Sequence, residues 1–180
     1  MGLAENRLRG SLSKRTGALF ETHLDGVFSQ MRARGIASIT KTPEPLKVIG
    51  RTAKQGTFAA IFASKAQPDY TGTLCGGRSV MIEAKFTDSD RITQDRVGEV
   101  QAKYLDEHAG LGAACGIVVC IGFMVYGFVP WSDWKNLKET CCHKYVNADD
   151  LRKHGWELDG RDIVKAIADR LNTQQEKTSC

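Results

Sequence analysis

The sequence predicts a single α/β domain built on a central mixed sheet flanked by helices, and three stretches carry that reading. Residues 67–86, QPDYTGTLCGGRSVMIEAKF, set two short apolar runs on either side of Gly76-Gly77. They read as a β-hairpin whose turn, Leu74 to Arg78, uses residues free to take positive φ. Ala114 to Cys120 is a continuous apolar run, the pattern of a strand covered on both faces, and is expected at the sheet centre. Two segments, 13–34 and 93–108, repeat apolar residues at intervals of three and four, as helices with one buried face do.

A chain of 180 residues is long enough for one proper core. Its net charge of +4 is uneven: residues 1–67 hold eleven Lys and Arg against four acidic residues, and residues 68–180 hold fourteen against seventeen. A basic front half beside an acidic middle suits a polyanionic substrate whose reacting phosphate meets a cation. No apolar stretch has transmembrane length and the start carries no signal-peptide pattern, so a cytoplasmic setting without membrane contact is expected. The six cysteines then read as reduced thiols. They include no CxxC, and Cys141-Cys142-His143 is too crowded for the usual zinc spacings, so no zinc site is expected.

In chain order, the first dozen residues set no period and read as a loosely held basic arm. Phe20, Leu24, Val27, Phe28 and Met31 mark the buried stripe of the first helix, which Gly35 ends. Ile36 to Lys41 reads as a strand. Pro43 and Pro45 then exclude a helix, and extended character resumes at Leu46 to Ile49. About residues 47–66 form a less regular segment with Arg51, Lys54 and Lys65 around the apolar run Phe58 to Phe62. After the hairpin, Thr87 to Arg91 is a polar loop whose Asp88 and Asp90 read as solvated. Thr93 to His108 is a helix with Val97, Val100, Tyr104 and Leu105 inside. A further strand, Ile121 to Val129, stops at Pro130, where Ser132-Asp133 can cap a short helix. The tail, residues 135–180, holds two helical signals, Asn147 to His154 and Asp159 to Leu171, assigned to packing or a dimer contact. The four histidines are scattered and none reads as a base.

The chemistry gathers on the hairpin. The strand period of two puts Met81, Glu83 and Lys85 on one face and Val80, Ile82 and Ala84 on the other. If the two strands pair, Asp69 joins Glu83 and Lys85, with the hairpin at one edge of the sheet. Two converging carboxylates repel unless a cation lies between them, and hard oxygen ligands favour Mg²⁺, with Mn²⁺ as a substitute. An adjacent lysine can orient water or offset charge on phosphorus, so the trio suits phosphodiester hydrolysis. Gln101 falls on the inner face of its helix, where its amide needs a partner, and Glu21 borders the buried stripe of the first helix. The competing reading of the trio is an exposed hairpin with surface charges, and that of Glu21 an edge-of-core residue with a solvated head.

Asp69 in a PD pair followed by Glu83-Ala84-Lys85 resembles the PD-(D/E)xK nuclease signature. RTGALFE at Arg15 to Glu21, KTPEPLKVI at Lys41 to Ile49, PDYTG at Pro68 to Gly72, EAK and Gln101 occur in the order and at about the spacing of RecU-type Holliday junction resolvases. The resemblance spans roughly Asn6 to Trp134. It implies a restriction-endonuclease-like fold with a projecting stalk at about 47–66, a homodimer, and Mg²⁺-dependent paired nicks in four-way DNA, with other recombination proteins as further partners. It also implies metal roles for Asp69, Glu83 and Gln101, and catalytic roles for Lys85, Glu21 and Arg51. Arg15, Lys41, Arg51, Lys54 and Lys65 become the candidate DNA contacts. Gln67 and Pro68 stand where that family commonly has threonines. Two other readings stay open: a PD-(D/E)xK nuclease acting on ordinary duplex, and a recombination factor that binds junctions without cutting them.

Overall fold

The chain begins with a long helix, α1 (Leu3–Ala33), that sets Phe20, Leu24, Val27, Phe28 and Met31 into the core at 3% exposure or less. It starts ten residues before the predicted position. Nothing in residues 3–12 breaks a helix outright, and Ala, Leu, Glu and Arg there favour one. Its end is as expected: Gly35 takes φ 67°, its N–H donates to the Arg32 carbonyl, and the Ile36 N–H reaches back to Met31, a Schellman arrangement. The computed structural model describes residues 3–62, 67–160 and 162–174.

Strand β1 (Ala37–Lys41) leads through Pro43 and Pro45 into an antiparallel ribbon, β2 (Leu46–Arg51) and β3 (Phe58–Phe62), which forms a two-stranded sheet of its own. The stretch read as less regular is therefore ordered pairing around a tight turn. The hairpin follows as β4 (Tyr70–Leu74) and β5 (Ser79–Thr87). Gly76 and Gly77, at φ 93° and 91°, make the turn, which the Leu74 N–H closes on the Arg78 carbonyl at 2.8 Å.

Next come β6 (Arg91–Thr93), a single 3₁₀ turn (Gln94–Arg96) and α2 (Glu99–Gly110). The predicted helix from Thr93 is thus six residues too long at its start, because β6 pairs with a strand some fifty residues further on. Val100, expected inside, is 58% exposed, while Val97, just ahead of the helix, and Leu105 are buried. Then follow β7 (Ala114–Ile121), β8 (Val125–Pro130), α3 (Trp131–Lys135), α4 (Leu137–Cys141), β9 (Tyr145–Asn147), α5 (Ala148–Lys153) and α6 (Ile163–Thr173). Ile121 closes β7 and does not open β8. The turn between them bends at Gly122 and Phe123, both at positive φ. Pro130 occupies the N-cap of α3, so Ser132 and Asp133 lie inside that helix. Helix α6 starts at Ile163, with Asp162 as its N-cap accepting from the Lys165 N–H.

The main sheet has the order β1-β4-β5-β7-β8, antiparallel throughout except for the parallel β5–β7 pair. β5 is its middle strand. The run Ala114–Ile121 lies one place to the side, and the hairpin is interior, not at an edge, because β1 pairs outside β4. Gly72 permits that pairing: a Cβ there would meet the Ser38 carbonyl oxygen at 2.1 Å. One sheet face packs Val80, Ile82 and Phe86 against α1 and α6, with Val164, Ile167 and Leu171 buried. The other packs Met81, Ile117 and Val119 against Leu105, Trp131, Trp134, Leu137, Leu151 and Trp156. The tail helices therefore close the core, in line with the packing assignment.

Candidate active site

The period of two along β5 works out as the sequence implies. Val80, Ile82 and Ala84 face α1, while Met81, Glu83 and Lys85 face the opposite layer. Antiparallel pairing sets Tyr70 against Ile82, which carries the residue before β4, Asp69, alongside Glu83 and Ala84. The two are locked reciprocally: the Asp69 N–H donates to Glu83 Oε2 at 3.2 Å, and the Ala84 N–H donates to Asp69 Oδ2 at 3.0 Å. The site lies at the end of the sheet, where α1 arrives over one face and α2 over the other.

Among the described residues Glu83 is the deepest charge, 1% exposed. Its Oε1 accepts from Lys85 Nζ at 2.5 Å and from Gln101 Nε2 at 2.8 Å. Burial first, and then the nearby Asp69, push its carboxyl up to about 7 against the pull of Lys85. A buried carboxylate held that high is an electrostatic vacancy for positive charge. The donor set of two convergent carboxylates with an adjacent amide fits a hard divalent cation such as Mg²⁺ or Mn²⁺.

Around this pair runs a cavity of about 350 Å³, lined by Glu21, Lys41, Glu44, Asp69, Glu83, Ala84, Lys85, Arg96 and Gln101 among others. Glu21 reaches it from α1, in ion pairing with Lys41 at 2.5 Å. That hydrogen bond, against a smaller opposing effect of burial, raises the Lys41 ammonium further and keeps it cationic. The Glu21 backbone carbonyl accepts from the fully buried Tyr70 hydroxyl at 3.0 Å, which fixes the helix against β4. Lys41, expected only as a DNA contact, is thus also the partner of Glu21.

Arg96 and Glu44 escaped the sequence reading. A helix running unbroken from Thr93 would turn Arg96 about 140° away from Gln101. The 3₁₀ turn instead delivers it to the cavity, where its Nη2 donates to the Phe86 carbonyl at 3.2 Å. Arg51 is not brought to the cavity: it ends β2, exposed, paired in register with Phe58. Lys54 is exposed in the ribbon turn and Arg15 is exposed on α1. Lys65 lies outside the described residues. Asp88 and Asp90 are exposed, as expected of a solvated loop.

A family model described as "RecU: Recombination protein U" matches residues 15–165. The chain belongs to the RecU family. That is the family of Holliday junction endonucleases to which its motifs point, and the match runs some thirty residues past Trp134, into the first turn of α6. Among solved structures, the chain is similar to Hjc of Archaeoglobus fulgidus, a Holliday junction resolvase from an archaeal hyperthermophile. The TM-score is 0.46 at 13% identity, covering 83% of this chain and 96% of that one. No curated protein sequence matches the chain. Among the described residues no helix is long and apolar enough to cross a membrane.

Proposed function

We propose that this RecU-family endonuclease resolves four-way DNA junctions by paired symmetric nicks, using Mg²⁺ held by Asp69 and Glu83 and leaving 5′-phosphates. The observation that carries the reading is the reciprocal lock of Asp69 and Glu83 beside Lys85 and Gln101 at the mouth of one cavity. When bound, the cation supplies Lewis-acid polarisation of the scissile phosphate and an acidified water.

The remaining work falls to the chain's own side chains. Lys85, which donates to Glu83 within the cavity, would orient the attacking water and offset charge developing on the phosphoryl oxygens. Gln101 supports the metal shell through its amide, and the Ala84 carbonyl is a further candidate ligand. Arg96 presents a guanidinium to the phosphate backbone at the cavity wall. Glu21, held by Lys41, supports the site from α1. Arg15, Arg51, Lys54 and Lys65 supply phosphate contacts, Arg51 from the ribbon that the resemblance treats as a stalk. A junction has two-fold pseudosymmetry and must be cut twice, so a homodimer with two such sites is the fitting assembly, in a cytoplasmic setting alongside other recombination proteins.

The test is cleavage of a labelled four-way junction and a linear duplex of matched sequence, each with Mg²⁺ and with chelator. Symmetric, Mg²⁺-dependent nicks in the junction alone are expected. Equal cutting of both substrates would make the enzyme a general duplex nuclease, and tight junction binding without nicks would leave it a binding factor.

A further inference from the structure

A second cluster of metal-type ligands lies in the C-terminal part of the chain and shares no residue with the nuclease cavity. Cys141 is the last residue of α4, Asp150 sits in the first turn of α5, and His154 caps the end of α5. One ligand atom from each lies within 4.8 Å of the other two. Cys141 and Asp150 are each 7% exposed, and His154 Nε2 is buried without a hydrogen-bond partner. Burying an imidazole nitrogen with nothing to satisfy it is unfavourable.

The backbone holds the three in place. Cys142 adopts φ 66°, ending α4 and turning the chain away from it. Asp150 closes the capping box of α5: its Oδ2 accepts from the Asn147 N–H at 3.0 Å, and its own N–H donates to Asn147 Oδ1 at 2.9 Å. His154 follows four residues later on the same helix face, its N–H donating to the Asp150 carbonyl at 3.0 Å. His143 adds an outer layer, with Nε2 3.3 Å from Asp150 Oδ1 and Nδ1 3.1 Å from the Tyr145 carbonyl. A metal-bound carboxylate is commonly oriented by such a neighbour.

We infer that Cys141, Asp150 and His154 form a zinc site that ties α4 to α5, with water in the fourth position. A thiolate, an imidazole and a carboxylate make a borderline-soft donor set that selects zinc over magnesium. Their charges sum to neutrality around a divalent ion, which suits a buried site. Bonds of ~2.0–2.3 Å put tetrahedral ligand atoms ~3.3–3.8 Å apart, so the cluster needs only a modest closure of its side chains. Burial, and next Asp150, push the Cys141 thiol up to about 11. Without metal it stays protonated; as the sulfur–zinc bond forms, that proton leaves to solvent and the cation offsets the carboxylate. The spacing Cys-x8-Asp-x3-His matches no common zinc pattern, which is why the sequence concealed it.

The test is titration of metal-free, reduced full-length protein with Co²⁺ in place of Zn²⁺. The expected result is a thiolate-to-cobalt charge-transfer band with tetrahedral d–d absorption, saturating at one equivalent and displaced by one equivalent of Zn²⁺. Asp69→Ala and Cys142→Ser should keep the band, Cys141→Ser should abolish it, and His154→Gln should weaken Co²⁺ affinity at least tenfold. Absence of the band in wild-type protein overturns the site whether or not any variant folds. So does its survival in Cys141→Ser, which would assign the signal to another thiol. Neither outcome bears on junction cleavage, which is scored separately.

Discussion

The proposed nuclease centre and the β2–β3 ribbon are built on opposite terms. In the centre, Glu83 accepts from Lys85, Gln101 and the Asp69 backbone, and each partner arrives on an element fixed by the core. On the ribbon all six residues of β2 are exposed, and Leu46, Val48, Ile49, Phe58 and Ile61 lie open at 50–61%. A lone two-stranded ribbon is marginal in water, so its apolar surface suits a structure completed by a partner. Bond-breaking chemistry needs groups held to within a fraction of an ångström, whereas gripping a large substrate needs reach. On the function proposed above, the rigid sheet serves the first and the ribbon the second.

The largest break in that contrast is expected at the hairpin. Asp69→Ala and Lys85→Ala should each lower junction cleavage by about 10³-fold or more, since they remove metal-ion and electrostatic stabilisation of the transition state. Junction affinity, measured by gel shift in Ca²⁺, should stay within about threefold, because phosphate contacts elsewhere carry the binding. If affinity falls as far as cleavage does, these residues are not catalytic.

The next effect is on stability. Glu83 is raised from 4.5 to about 7, so between those values the native state binds more protons than the unfolded chain. Its contribution is therefore fully present below about pH 4.5 and is lost as pH rises through 7. At about 1.4 kcal/mol per pH unit, the metal-free protein should lose on the order of 2–3 kcal/mol across that window. Urea unfolding in chelator at pH 5 and pH 8 measures the loss, and Glu83→Gln should flatten it relative to wild type. Mg²⁺ at pH 8 should return stability to wild type but not to the variant. Parallel pH profiles for the two proteins would show that Glu83 titrates normally.

The contrast also explains what could be read from the sequence. The parity of Glu83 and Lys85, the turn at Gly76-Gly77 and the inward placement of Gln101 are local consequences of strand and helix periods. The Glu21–Lys41 pair joins residues twenty apart across a helix–strand contact, so no period reveals it. Arg96 was hidden because Thr93 to Arg96 fits a helix by composition, while β6 answers to β9. The interior place of the hairpin depends on β1 lying against Gly72, a steric fact that appears only once the strands are assembled.

The smallest expected effect separates the two kinds of basic residue. Arg96 donates to the Phe86 carbonyl inside the cavity wall, so it is held where a scissile phosphate would lie. Arg51 and Lys54 stand on the exposed ribbon. Arg96→Ala should lower kcat by about 10- to 100-fold with little change in Kd, as loss of one charge-stabilising contact does. Arg51→Ala and Lys54→Ala should leave kcat nearly unchanged and weaken binding severalfold, each reducing the slope of log Kd against log salt by about 0.9. A fall in kcat for Arg51→Ala without a change in that slope would move Arg51 from the ribbon's grip to the chemistry. It would then have to reach a cavity that its own chain's fold does not bring it to, and a partner's active site in a dimer would be the place to look.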